Sequence, residues 1–170
     1  AFADQKMVVL PDKPIYVGGG VQPMVMLDIT KDHQLHMKAY NDYTDLDSDG
    51  VIDRTYKHSI NYYGYFDSRQ CYSYSATDKR FTPVSVSFDK YCNGSWSGNF
   101  LNWSSMSRMD TVRKILYGGY RSTDTDSLTV LERNLLPYDA HSFVKYYDGD
   151  DLNKLTPFSK GDLANFVKTV

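Results

Sequence analysis

The sequence predicts an α+β fold, and three observations carry that prediction. Residues 80–92, RFTPVSVSFDKYC, place Val84, Val86 and Phe88 on one face and Ser85, Ser87 and Asp89 on the other. That period of two marks a half-buried strand. Residues 99–117 instead carry Phe100, Trp103, Met106, Met109, Val112 and Leu116 at helical spacing. Between such stretches stand glycine, proline and Asx clusters that read as turns. The chain has 170 residues, enough for one domain with one sizeable core.

The elements follow in order. Residues 1–23 hold the short apolar runs MVVL and PIYV between Pro11, Pro14 and Gly18–Gly20, which predicts an extended N-terminal arm. Residues 24–170 then form the single domain. It opens with PMVMLDIT, whose run Met24–Leu27 ends at Asp28 and predicts a strand buried on both faces. Residues 56–92 alternate aromatic and polar side chains and predict antiparallel strands. Across 99–117 a single helix is expected, with Asn99 as cap, Asp110 and Lys114 as an outward i,i+4 pair, and Gly118-Gly119 as the left-handed stop. LTVLERNLLP and HSFVKYYDG read as strand-like, and residues 160–169 as a short helix capped by Ser159.

Composition removes several function classes. The formal net charge is −2, so there is no basic field for a nucleic-acid partner. No apolar run approaches the ~18 residues that a membrane-inserted helix needs. No G-x-S-x-G, H-E-x-x-H or phosphate-binding glycine loop occurs, and an enzyme is not expected. His33 and His36 have zinc-compatible spacing but no accompanying ligands, and read as surface residues. The 15 tyrosines suit strands and wet, apolar interfaces. Asn93-Gly94-Ser95 and Asn102-Trp103-Ser104 match the glycosylation pattern, a weak signal.

The motif with the sharpest chemistry is TDLDSDGVIDRTY, residues 44–56. Asp45, Asp47 and Asp49 alternate so that three carboxylates can turn toward one centre, as a Ca2+ loop requires. Gly50 permits the sharp turn, the Val51 carbonyl can point inward, and Asp53 falls at the ninth loop position. Ile52 is expected to anchor the loop to the core. Tyr56 stands where an EF-hand has its bidentate glutamate, so a distant carboxylate must finish the shell; Asp42, Asp67 and Asp89 are candidates. A solvated acidic turn held by Asx hydrogen bonds is the competing reading.

Cys71 and Cys92 fit one intrachain disulfide in an oxidising compartment. The opening Ala1-Phe2-Ala3-Asp4 reads as a terminus left by signal-peptide cleavage, so a secreted, extracellular protein is expected.

Residues 96–123, WSGNFLNWSSMSRMDTVRKILYGGYRST, closely resemble the N-terminal region of the PilC/PilY family, large exported proteins associated with bacterial type IV pili. TDLDSDGVIDRTY, NYYGYFDSRQCYSYS with KYCNGSWSGNF, and TVLERNLLPYDAHSFVKYY agree in order and spacing, so the resemblance covers residues 24–158. It implies a von Willebrand A-like domain, divergent or partial, carrying a β-rich insertion that holds the acidic loop. It also implies roles in pilus assembly, adhesion at the pilus tip and surface sensing. The D-x-S-x-S metal pattern of such domains is degraded here to Asp28-Ile29-Thr30-Lys31-Asp32, which implies a weakened or lost metal site.

Two functions are therefore expected. One is a non-catalytic, calcium-stabilised structural subunit, assembling with copies of itself into a surface filament or tube. The alternative is a type IV pilus tip adhesin or biogenesis-factor fragment, contacting pilins or a host-surface ligand.

Overall fold

A computed structural model describes residues 24–26, 28, 32–136, 138–139 and 142–162. The chain divides into two units, residues 1–30 and 31–170. The predicted N-terminal arm lies outside the described residues, as do residues 163–169 of the expected last helix.

In the first unit, Met24, Val25 and Met26 are exposed and form no strand, contrary to expectation. A run buried on both faces needs flanking strands. The described strands are all antiparallel and pair with one another.

The second unit is an α+β body. It begins with a 3-10 turn, His33–His36, followed by irregular chain to residue 69. Three strands form one sheet: β1 (Gln70–Ser75), β2 (Arg80–Val86) and β3 (Trp96–Ser97), in the order β2-β1-β3. Two helices follow, α1 (Gly98–Ser105) and α2 (Arg108–Tyr117). A hairpin comes next, β4 (Arg121–Asp124) with β5 (Thr129–Leu131), and then the short α3 (Leu152–Leu155). Among the described residues of the two late stretches read as strand-like, only 129–131 lie in a paired strand.

The predicted alternation in β2 exists, but its Val84 and Val86 face solvent at 54% and 60% exposure, and Phe88 beyond it at 83%. The register explains this. Cys71 pairs with Ser85 and Tyr72 with Pro83, so Val84 is an extra residue, and a bulge of this kind reverses the faces beyond it. Phe81 carries the packing instead, with its ring 5.4 Å from Phe66, 5.0 Å from Tyr74 and 5.7 Å from Trp96. The disulfide Cys71–Cys92 is present, with a Cα separation of 5.5 Å. It ties β1 to the turn before β3, where the Cys92 N–H also donates to the Lys154 carbonyl at 2.6 Å.

The expected single helix is two. Ser97, not Asn99, caps α1, accepting from the Phe100 N–H at 3.4 Å. The break falls at Met106-Ser107. Ser107 caps α2 in a reciprocal box: its Oγ accepts from the Asp110 N–H, and Asp110 Oδ2 accepts from the Ser107 N–H, each at 3.2 Å. Backbone groups freed at the break are taken by a passing segment. Ala39 N–H donates to the Met106 carbonyl and Arg108 N–H to the Met37 carbonyl, both at 2.9 Å. Asp110 is accordingly buried, not paired outward with Lys114. Its Oδ1 accepts from the Asn134 N–H at 2.6 Å, and Asn134 in turn reaches His36 at 2.8 Å. Gly118 ends α2 in the left-handed conformation, as expected.

The core is aromatic. Tyr56, Tyr62, Phe100, Trp103, Leu152 and Leu155 form its buried cluster. Tyr56 sits amid rings of Phe100, Tyr62, Tyr147 and Trp103, with centroids 5.2–5.7 Å away. Many tyrosines thus belong to the interior, where a phenol adds ring area and keeps one polar handle.

Candidate functional site

Two features stand out beside the core: the acidic loop, and an aromatic loop pinned by asparagines. In the acidic loop, carboxylate oxygens of Asp45, Asp47 and Asp49 lie within 4.8 Å of one another. Asp45 spends its oxygens on the loop itself, accepting from Asp49 N–H at 3.1 Å and Gly50 N–H at 2.8 Å. Asp49 Oδ1 accepts from Val51 N–H at 2.8 Å. The ends are closed by the Asp53 N–H donating to the Thr44 carbonyl at 3.1 Å. Asp53, its side chain 1% exposed, takes the Leu46 N–H on Oδ2 at 2.6 Å.

The distant partner turns out to be a cation. Lys57 Nζ lies 2.6 Å from Asp53 Oδ1, 2.8 Å from Asp49 Oδ2 and 3.3 Å from Asp47 Oδ2. Asp53 Oδ1 has no well-directed hydrogen bond, so this short contact is an ion pair in character. The hydrogen bond to Asp49 and the close contact with Asp53 raise the Lys57 ammonium above the usual lysine range. The same ammonium lowers the carboxyls of Asp53 and Asp49. None of the expected distant carboxylates joins the loop. Asp42 is held by Lys38 and by Lys145 at 2.6 Å. Asp67 accepts from Arg69 N–H at 2.8 Å, and Asp89 from Ser87 Oγ at 2.6 Å and Tyr91 N–H at 3.1 Å. Ile52 is 53% exposed and does not anchor the loop; Tyr56, four positions on, does.

The donor set fits calcium. Its oxygens are hard and anionic, the carboxylates of Asp45, Asp47 and Asp49 converge, and those of Asp47, Asp49 and Asp53 face one ammonium. Asp45, Asp47, Asp49 and Asp53, with the Val51 carbonyl, would hold such an ion and gain a divalent counter-charge. Of the degraded metal motif, Asp28 and Asp32 are exposed, and Thr30 lies outside the described residues.

The second feature was not anticipated. Asn99 and Asn102, both fully buried on α1, reach into the preceding loop. Asn99 Oδ1 accepts from the Tyr62 N–H at 2.8 Å, while its Nδ2 donates to Tyr56 Oη and the Ile60 carbonyl, each at 2.9 Å. Asn102 Oδ1 accepts from the Phe66 N–H at 3.0 Å, and its Nδ2 donates to the Tyr62 and Phe66 carbonyls, each at 2.8 Å. A β-carbon on Gly64 would stand 2.2 Å from Asn102 Oδ1, so only glycine fits there. Buried and spent in this way, Asn102 is no glycosylation acceptor. Residues 61–68 are therefore held as a fixed loop that presents Tyr63 outward at 51% exposure. The sequence signal was the pair Asn99 and Asn102, i and i+3 on an otherwise apolar helix face.

By class, the chain is a disulfide-clipped α+β module with two polar loops locked to its core. The family model described as the PilY1 homolog, small alpha/beta domain, matches residues 53–169, and the chain belongs to that family. A type IV pilus biogenesis factor PilY1 homolog from Xylella fastidiosa (strain Temecula1 / ATCC 700964) is 47% identical over 143 residues, covering 79% of this chain and 10% of that protein. Another protein of the same description and organism is 40% identical over 92 residues, covering 48% of this chain and 8% of its own length. The chain thus spans about a tenth of the length of the curated relatives it matches. No solved structure matches it.

Proposed function

We propose that this chain is a non-catalytic module of a type IV pilus biogenesis factor, displayed outside the cell, where it acts in pilus assembly or pilus-tip adhesion. The observation that carries the reading is the 47% identity over 143 residues to a protein described as such a factor. That description supports the biogenesis reading over a self-assembling filament subunit built from copies of this chain. Pilins or a surface ligand are the corresponding partners. In this reading calcium is a stabilising ion at Asp45, Asp47, Asp49, Val51 and Asp53, supported by the convergence of the carboxylates on one cationic centre. A divergent or partial von Willebrand A-like relationship of residues 24–170, with the acidic loop in a β-rich insertion, is part of the same reading and rests on the sequence resemblance alone.

The test is an in-frame deletion of codons 53–162 from the parent gene, with export of the remaining protein checked by immunoblot. Fewer surface pili, or cells that no longer attach, are expected. Normal piliation together with normal attachment overturns the proposal.

A further inference from the structure

The pinned loop lines an open groove of about 480 Å3, within the range of small-ligand sites, about 300–1,000 Å3. Tyr63, Tyr65, Phe66, Asp67, Gln70 and Lys114 supply its chemistry. The walls are pre-organised, because Asn99 and Asn102 fix the backbone at Tyr62 and Phe66. Its polar groups, in contrast, are unspent. Among the described residues the Lys114 ammonium and the Gln70 amide make no hydrogen bond or ion pair, and Asp67 uses only Oδ1. The Asn99 and Asn102 amides that fix the loop are, by comparison, fully engaged.

An exposed aromatic face flanked by a free carboxylate oxygen, an amide and an ammonium matches one ligand chemistry well. The C–H face of a pyranose stacks on a ring, and adjacent hydroxyls take hydrogen bonds from carboxylate and amide. The ammonium then selects a sugar that carries its own carboxylate. An extended peptide fits less well. β1 borders the groove at Gln70 and Tyr72: at Tyr72 both edges are paired, to Pro83 of β2 and Trp96 of β3, and at Gln70 one edge is paired to Val86 of β2 while the N–H is closed onto the Asp67 carbonyl at 3.1 Å. No strand edge is left there for a peptide backbone.

We propose that this groove binds an acidic saccharide, with the sugar ring on Tyr63, hydroxyls on Asp67 and Gln70, and the carboxylate on Lys114. The proposal goes beyond the pilus-biogenesis reading and involves none of the acidic-loop residues.

Cellobiose and cellobiouronic acid differ only in a hydroxymethyl replaced by a carboxylate, so calorimetric titration of the folded protein with each isolates the contribution of Lys114. Saturable binding of both is expected, with the acid about fivefold tighter at low salt. Lys114→Met should remove that preference and leave cellobiose binding intact. Tyr63→Ala should weaken both by about tenfold, and Tyr63→Phe should restore them. Phe88→Ser, at an exposed site on the far side of the β2 bulge, should change neither. Absence of saturable binding overturns the proposal, as does binding that Tyr63→Ala leaves unchanged or a preference that survives Lys114→Met. Binding of an acidic tetrapeptide in place of both sugars would reassign the groove to a protein partner. Because piliation is not the readout, failure here leaves the pilus-biogenesis reading standing, and its failure leaves this one.

Discussion

Replacing Asn102 by alanine removes the fastening between α1 and the aromatic loop. Three hydrogen bonds go, of 3.0, 2.8 and 2.8 Å, at a side chain with 0% exposure. The change strands the Phe66 N–H and leaves the Tyr62 and Phe66 carbonyls without this donor. Leaving a buried group unsatisfied costs about 1–3 kcal/mol. The upper end does not apply to all three, because a water can enter the space left by the amide and satisfy part of the set. A loss of about 3–6 kcal/mol remains, a large share of the ~5–15 kcal/mol that a domain has. Equilibrium unfolding in urea at fixed calcium, followed by tryptophan fluorescence, reads this directly, since Trp103 lies in the core. Asn153→Ala, at an exposed site whose side chain makes no hydrogen bond, is the control and should change stability by less than about 0.5 kcal/mol. A loss below about 1 kcal/mol for Asn102→Ala would refute the pinning argument, because it would mean that the loop's backbone finds other partners at no cost.

Gly64→Ala should destabilise through a different route, since its new methyl meets Asn102 Oδ1 at 2.2 Å; unfolding in the same assay should show a loss of about 1–3 kcal/mol. Reducing the Cys71–Cys92 bond, which closes a loop across 21 positions, should cost about 3 kcal/mol in the chain-entropy model, measured by unfolding with and without reductant. Lys57→Met should destabilise the chelated protein by leaving Asp53 buried without its cation, and added calcium should recover the loss; a thermal melt that calcium does not move would end the calcium reading. The folded pKa of Asp53 is depressed, so its contribution is present above the unfolded value of about 3.9 and is lost as pH falls through the folded value. The stability difference between wild type and Asp53→Asn should therefore shrink below about pH 4, read by urea midpoints across pH 3–7. At the other end, burial raises the Tyr62 phenol to about 12, so stability should fall as pH rises from about 10 toward 12, where the unfolded chain ionises first.

The parts of this fold that were legible in the sequence are those fixed by neighbours along the chain. The α+β composition, the disulfide, the left-handed stop at Gly118 and the convergence of Asp45, Asp47 and Asp49 all depend on local spacing. What escaped was set by contacts across the fold. The helical apolar pattern runs unbroken through Met106, yet Ser107 and Asp110 form a capping box that cuts it. The break becomes favourable because Met37–Ala39 supplies backbone partners from about 70 residues away. The β2 alternation was read correctly as a period and wrongly as a burial pattern, because a single bulge residue, Val84, exchanges the faces.

The acidic loop shows the same division most sharply. Alternating aspartates revealed where negative charge would gather, and the missing glutamate at Tyr56 implied a partner from outside the loop. Calcium coordination points to a carboxylate as that partner. The loop's charge poses a broader requirement, which is any cation able to reach Asp53 in a buried position. Lys57 meets it from four residues beyond Asp53, with Tyr56 between them fixed in the core and the Lys57 N–H held by Tyr62 Oη at 3.1 Å. In the proposed calcium reading the lysine is the competitor that the ion must displace. Calcium affinity in this loop should consequently be weaker than the carboxylate count alone implies, and should rise in Lys57→Met even as the ion-free protein loses stability. Those two effects of opposite sign from one substitution separate a calcium loop gated by its own lysine from an acidic turn that merely neutralises itself.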